Sequence, residues 1–82
     1  MKYTQYFLYT RKRPDRAYIK EKWIENVIRC PIHSEVQADG RIRHWAKIEE
    51  ENKYLRVIVL SDGQTVHNAF FDRTFKLPGD VK

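Results

Sequence analysis

The residues with the widest chemical range lie between positions 56 and 75, Arg-Val-Ile-Val-Leu-Ser-Asp-Gly-Gln-Thr-Val-His-Asn-Ala-Phe-Phe-Asp-Arg-Thr-Phe. His67, Asn68, Asp72 and Arg73 stand there among valines and phenylalanines. A hairpin with only a structural duty has little need of four hydrogen-bonding or ionisable side chains in such company. At a strand end, where a sheet opens onto a cleft, they can hold chemistry. Histidine, with an ordinary pKa near ~6.5, gives or takes a proton at neutral pH. Arginine's planar fork matches a phosphate bidentately. His44 and His67 fall on two predicted strands, and Arg43, Arg56 and Arg73 on three. Such a set suits cleavage of RNA by its own 2′-hydroxyl, which needs one group to take a proton, another to give one, and cations to hold the charged phosphorane. The candidate catalytic residues are therefore His67, Arg73, Arg56 and Arg43.

Simple alternation along the last strand places His67 with Ala69, Phe71 and Arg73, and Asn68 with Val66, Phe70 and Asp72. Structural readings compete with each functional one. His67 can be a half-buried strand histidine, and Asn68 and Asp72 can satisfy turn or backbone groups. Asp72 and Arg73 can form a strand-end pair worth under ~1 kcal/mol if exposed. Arg41, Arg43 and Lys47 can form a solvated face, although Trp45 among them is unusual there; a ring flanked by arginines can stack on a base, cover a sheet edge or meet a partner.

Other chemistries find little support. His33, His44 and His67 lack metal-ligand spacing. The three glycines are scattered through turns, so no phosphate loop is read. A nucleophile elbow is absent. No metal and no cofactor is expected. Cys30 is the single cysteine, read as a small core filler at a helix end. An apolar leader and a membrane-length run are both missing, so a soluble, cytoplasmic protein without membrane contact is expected.

The net charge of +5 is uneven. Residues 1–30 carry eight Lys/Arg against three Asp/Glu, whereas residues 31–82 carry eight of each. The excess is densest at Arg11-Lys12-Arg13-Pro14-Asp15-Arg16. A localised basic stretch favours a polyanionic partner, nucleic acid first, with a solvated basic loop as the alternative. The candidate nucleic-acid-binding residues are Arg11, Lys12, Arg13, Arg16 and Trp45.

The chain's 82 residues fit one domain. A chain of this size buries only somewhat more than ~60% of its unfolded surface. Two Trp, five Tyr and four Phe can supply much of its core. Residues 3–9 read as an edge strand or an extended arm. A helix over about 15–29 starts beside Pro14 and Asp15 and ends at Cys30-Pro31. Ile19, Trp23, Ile24, Val27 and Ile28 line one half of it, opposite Glu21, Lys22, Glu25 and Arg29. Lys20 falls near the apolar arc, at the core rim or towards a cleft. Strands follow near 32–37, 41–48, 54–60 and 65–75, with hairpin signals at Asp39-Gly40 and Asp62-Gly63. The expected architecture is α+β, one amphipathic helix packed on an antiparallel meander of three to four strands. A single domain spans 1–76, and 77–82 form a flexible tail.

This order resembles small bacterial proteins of the Barnase–EndoU–Colicin–RelE-like ribonuclease fold, which include toxins of toxin–antitoxin pairs. The similar segments are Tyr9-Thr-Arg-Lys-Arg-Pro-Asp-Arg16, the helix with Ile19, Trp23, Ile24 and Val27, Asp39-Gly-Arg-Ile-Arg43, Tyr54-Leu-Arg-Val-Ile-Val59, and Asp62-Gly with Val66-His-Asn-Ala-Phe-Phe-Asp-Arg73. The resemblance implies RNA bound across an exposed sheet face by Arg43, Arg56, His67 and Arg73, with Arg13 and Arg16 from the basic loop. It also implies an antitoxin protein as partner. A His near the first helix and a last helix, both usual in such proteins, have no counterpart here. The leading expectation is a metal-independent endoribonuclease. Its alternatives are a non-catalytic nucleic-acid-binding module and an interaction subunit or homodimer anchored by Trp45, Tyr54 or the aromatic arm.

Overall fold

Thr4 decides the shape of the first ten residues. It is extended, and its Oγ1 accepts a hydrogen bond of 3.1 Å from the Phe7 N–H. That cap opens a six-residue helix, α1 (Gln5–Thr10). The expected strand or extended arm over 3–9 is therefore helical from residue 5 on; only β1 (Lys2–Tyr3) and the Thr4 cap are extended. The helix buries Phe7, which stacks on Tyr3 with ring centroids 5.2 Å apart. An extended segment would turn Phe7 and Leu8 to opposite sides and leave one of them without a core to join.

In this computed structural model of the protein, residues 1–77 are described. Of the expected tail at 77–82, residues 78–82 lie outside them. After α1 the chain makes successive tight turns, with the Ala17 N–H bonded to Arg13 O at 2.8 Å and Ile19 N–H to Arg16 O at 3.1 Å. The regular helix α2 begins at Glu21 and ends at Arg29 (Glu21–Arg29), later than the start expected near residue 15. Ile19 joins the core from the turn before it. Lys20 is the N-cap, exposed, with its ammonium 5.2 Å from the Trp23 ring, so it emerges at the rim. Trp23, Ile24 and Val27 form the buried stripe of α2.

Four strands complete the fold: β2 (His33–Val36), β3 (Ile42–Ile48), β4 (Lys53–Val59) and β5 (Thr65–Phe71), each antiparallel to the next. Gly40 and Gly63 take φ of 90° and 74° in the turns before β3 and β5, where a side chain would be strained. The Asp62 carboxylate accepts bonds from the Thr65 hydroxyl, the Thr65 N–H and the Gln64 N–H, which hold its pKa down at about 2. β1 returns to the far side of β5 and pairs with it in parallel. The sheet is thus five-stranded and mixed, in the order β1-β5-β4-β3-β2, rather than an antiparallel meander of three or four strands. The α+β class holds, with two helices in place of one.

Both helices contribute to a core against one face of this sheet. Leu55, Val57, Val59 and Val66 are fully enclosed there with Val27, and Phe7, Ile19, Trp23 and Ile24 close over them. Each such aliphatic side chain contributes roughly 1.5–3 kcal/mol relative to exposure. The opposite face is left to the residues that alternate with these.

Candidate nucleic-acid interface

Between β4 and β5 the register runs Leu55↔Phe71, Arg56↔Phe70, Val57↔Ala69 and Ile58↔Asn68, then shifts to Val59↔Val66. His67 is the extra residue of a β-bulge. The bulge resets the alternation: Val66, Ala69 and Phe71 meet the helix-side core, and Asn68, Phe70 and Asp72 occupy the open face. The expected grouping of Val66 with Phe70 and Asp72 is corrected by this one inserted position.

His67 leaves the alternation altogether. Its Nδ1 lies 3.1 Å from Thr4 Oγ1, and its ring stacks on Tyr6 of α1 at 4.9 Å. Thr4 Oγ1 already accepts the Phe7 N–H, so a hydroxyl proton donated to Nδ1 satisfies the whole chain of groups. Burial, then the nearby Arg41 charge, lowers the His67 pKa, with Asp39 opposing. No hydrogen bond, ion pair or ring contact joins His67 to Arg43, Arg56 or Arg73 among the described residues. The expected sharing of a face by His67 and Arg73 is not realised: His67 sits near the start of β5 and Arg73 in the turn beyond its end.

The open face holds a different constellation. Cross-strand pairing sets His33, Trp45, Arg56 and Phe70 side by side on β2, β3, β4 and β5. The Arg56 guanidinium lies between two rings, 5.2 Å from Trp45 and 5.1 Å from Phe70. Arg16 reaches the same rung from the turns between the helices, its guanidinium 5.1 Å from the Phe70 ring. The result is a row in which arginines and rings alternate, Arg16–Phe70–Arg56–Trp45, with the His33 ring against Trp45 at its end. Each cation–ring contact contributes ~0.5–1 kcal/mol where exposed and more where dry. Arg16 Nη1 donates to Asn68 Oδ1 at 2.7 Å, which fixes the turn segment to the strand.

Asp72 anchors the row from the end of β5. Its carboxylate accepts from Trp45 Nε1 at 3.1 Å and from the Thr74 hydroxyl and N–H at 2.8 and 3.0 Å. Arg56 Nε lies 3.3 Å away as an ion pair, but its angle is not that of a hydrogen bond. Burial pushes the Asp72 pKa up; the bonds from Trp45 and Thr74 and the charge of Arg56 outweigh it, so the carboxylate stays below its ordinary value. The neighbouring rung carries Glu35, Arg43, Ile58 and Asn68. Arg43 pairs with Glu35 at 3.6 Å, and His33 Nε2 lies 3.0 Å from the same carboxylate.

The other expected residues separate. Arg11 turns to the helix side, over the Tyr3 and Phe7 rings and 3.9 Å from Glu21, and braces α1. Lys12 and Arg13 face solvent, Arg13 beside Asp15 at 3.5 Å. Trp45 is 3% exposed, with Phe75 stacked on it at 4.8 Å, so it presents no free ring to a base or a partner. Tyr54 is likewise covered edge-on by Phe75. Arg73 is exposed and makes no ion pair among the described residues. It shares a shallow cleft of about 250 Å³ with Arg16, Lys53, Phe70 and Asp15. Phe70 and Lys53 were not singled out by sequence. A Phe-Phe pair reads as core in either register, and only the bulge decides which ring faces out.

The class defined so far is an α+β domain with two helices on one face of a mixed sheet and a basic, ring-lined opposite face. No known family matches the chain, and no curated protein or solved structure is significantly similar to it. Among the described residues, no cluster of His, Cys, Asp and Glu could hold a metal ion, and no helix is long and apolar enough to cross a membrane.

Proposed function

We propose that this protein binds single-stranded RNA across the open face of its sheet. The observation that carries the reading is the row Arg16–Phe70–Arg56 running into the cleft that Lys53 and Arg73 share. Phosphates are met by guanidinium groups that keep spare donors, because Arg56 makes no hydrogen bond through its Nη atoms to the described residues. The half-buried Phe70 ring offers an apolar platform beside them, and stacking of one base on such a ring contributes ~1–3 kcal/mol. The basic excess of the first thirty residues adds long-range attraction for the polyanion.

A second reading, favoured by one observation, is metal-independent RNA cleavage of the kind the ribonuclease-fold resemblance implies, with an antitoxin as restraining partner. His33, on the rung of Arg56, and Arg43, on the next rung, share the Glu35 carboxylate on the open face. There His33 and Glu35 would exchange protons with the 2′-hydroxyl and the leaving oxygen, and Arg43 and Arg56 would hold the phosphorane. In this arrangement His67 is a brace between α1 and β5.

Anisotropy of a labelled single-stranded RNA, followed against salt, tests the binding reading. The double variant Lys53→Gln/Arg73→Gln removes two cations, so the slope of log affinity against log salt should fall in magnitude by about 1.4, at ~0.7 per phosphate contact. An absent or salt-independent affinity, or an unchanged slope, overturns the reading. The same RNA incubated in EDTA and run on a denaturing gel tests cleavage. Product that disappears in His33→Ala and Glu35→Gln but persists in His67→Ala supports the second reading, whereas intact RNA with wild type removes it.

A further inference from the structure

The two edges of the sheet are finished differently. At one, β1 pairs with the start of β5, and α1 runs alongside with Thr4 and Tyr6 on His67. At the other, β2 pairs only with β3, and no described element covers its outer side. Gln37 donates to Arg41 across the β2–β3 ladder at 2.7 Å. In an antiparallel pair the bonding alternates, so Glu35 and His33 also bond inward, and the N–H and C=O groups of Ser34 and Val36 point away from the sheet. An edge of this kind is a template for another strand.

From this edge we propose that two copies of the chain associate through β2, antiparallel about a two-fold axis at Ser34. In that register Ser34 faces Ser34 of the second copy, and each Ile32 faces a Val36. These are two of the exposed large apolar side chains of the fold, 47% and 74% exposed, and the pairing covers both twice over. On the other face each His33 lies opposite a Glu35, the two partners that already meet at 3.0 Å within one copy. The outward backbone groups match as well. Ser34 exchanges both of its bonds across the axis, and the Val36 N–H meets the Ile32 C=O, while the Ile32 N–H stays on Trp45 O. Sliding by one rung would set Glu35 against Glu35, a like-charge pair directly opposite. The strand's own sequence therefore opposes that slip. Four residues of edge make a small interface, so the association belongs to the weak class, below about 1,200 Å². It joins the two sheets into one and doubles the length of the open face, and it does not depend on that face binding RNA.

Sedimentation equilibrium and directed cross-linking test this. The mean mass should rise from 10.0 kDa towards twice that value as concentration climbs through about 10–500 µM. Val36→Lys, at an exposed site that leaves the fold intact, should weaken association about tenfold or more. With Cys30 replaced by Ser, Ser34→Cys should oxidise to a cross-linked dimer, because the Cα separation of a bonded antiparallel pair, ~5.5 Å, suits a disulfide. Glu35→Cys in the same background should cross-link poorly. A mass fixed at 10.0 kDa, unaltered association in Val36→Lys, or preferential cross-linking through position 35 overturns the proposal.

Discussion

The two faces of one sheet are stabilised by different physics. On the helix side, Leu55, Val57, Val59, Val66 and Ala69 are at most 3% exposed, and their contribution follows the apolar area removed from water. On the open side no helix covers the strands, yet Trp45 is as buried as Trp23. It is covered by Arg56, Phe75 and His33, and its N–H finds Asp72. A small domain can thus close its second face without a second layer of helices. Guanidinium groups set against the rings cover apolar surface and keep N–H groups for polar partners. That face remains chemically open in a way the aliphatic one does not.

Truncating one residue on each side separates the two kinds of packing. Leu55→Ala, at a site with no exposure, should lose ~2–5 kcal/mol in urea unfolding. For a chain of this size that is a large part of the total stability. Asp72→Ala should cost less, ~1–3 kcal/mol, by leaving Trp45 Nε1 without its acceptor and Arg56 without its ion-pair partner. Asp72→Asn should recover much of it, because the amide oxygen still accepts the Trp45 N–H. A loss in Asp72→Ala equal to that of Leu55→Ala would mean that the open face is a second core.

The smallest effect concerns the bulge, where the two faces meet. The folded His67 and His44 both have pKa values lowered from the ordinary 6.5, His67 by burial and then Arg41, His44 by burial alone. The unfolded chain therefore binds their protons more readily. Their contribution is fully present above pH ~6.5 and is lost as the pH falls through that value and through the folded pKa. Asp72, lowered below 3.8, acts only in more acidic solution. The urea midpoint of wild type should decline from about pH 7 to pH 5, and His67→Gln should flatten part of that decline. An unchanged decline in His67→Gln would place the whole effect on His44.

Composition and periodicity alone determined the α+β class, the buried stripe of Trp23, Ile24 and Val27, and both Asp-Gly turns. They determined as well that Arg43 and Arg56 stand on neighbouring strands. These properties depend on residues close in sequence, through helical spacing, strand alternation and left-handed glycine turns. Three features were decided only in the tertiary structure. Residues 5–10 became a capped helix because Phe7 found the core. β1 joined β5 in parallel across more than sixty residues, a pairing without local signal. The bulge at His67 turned Phe70 and Asp72 to the open face and moved the candidate site from His67 to the Arg16–Phe70–Arg56 row. A period-two pattern carries no mark of an inserted residue; only pairing with β4 on one side and docking of α1 on the other make the extra position stable.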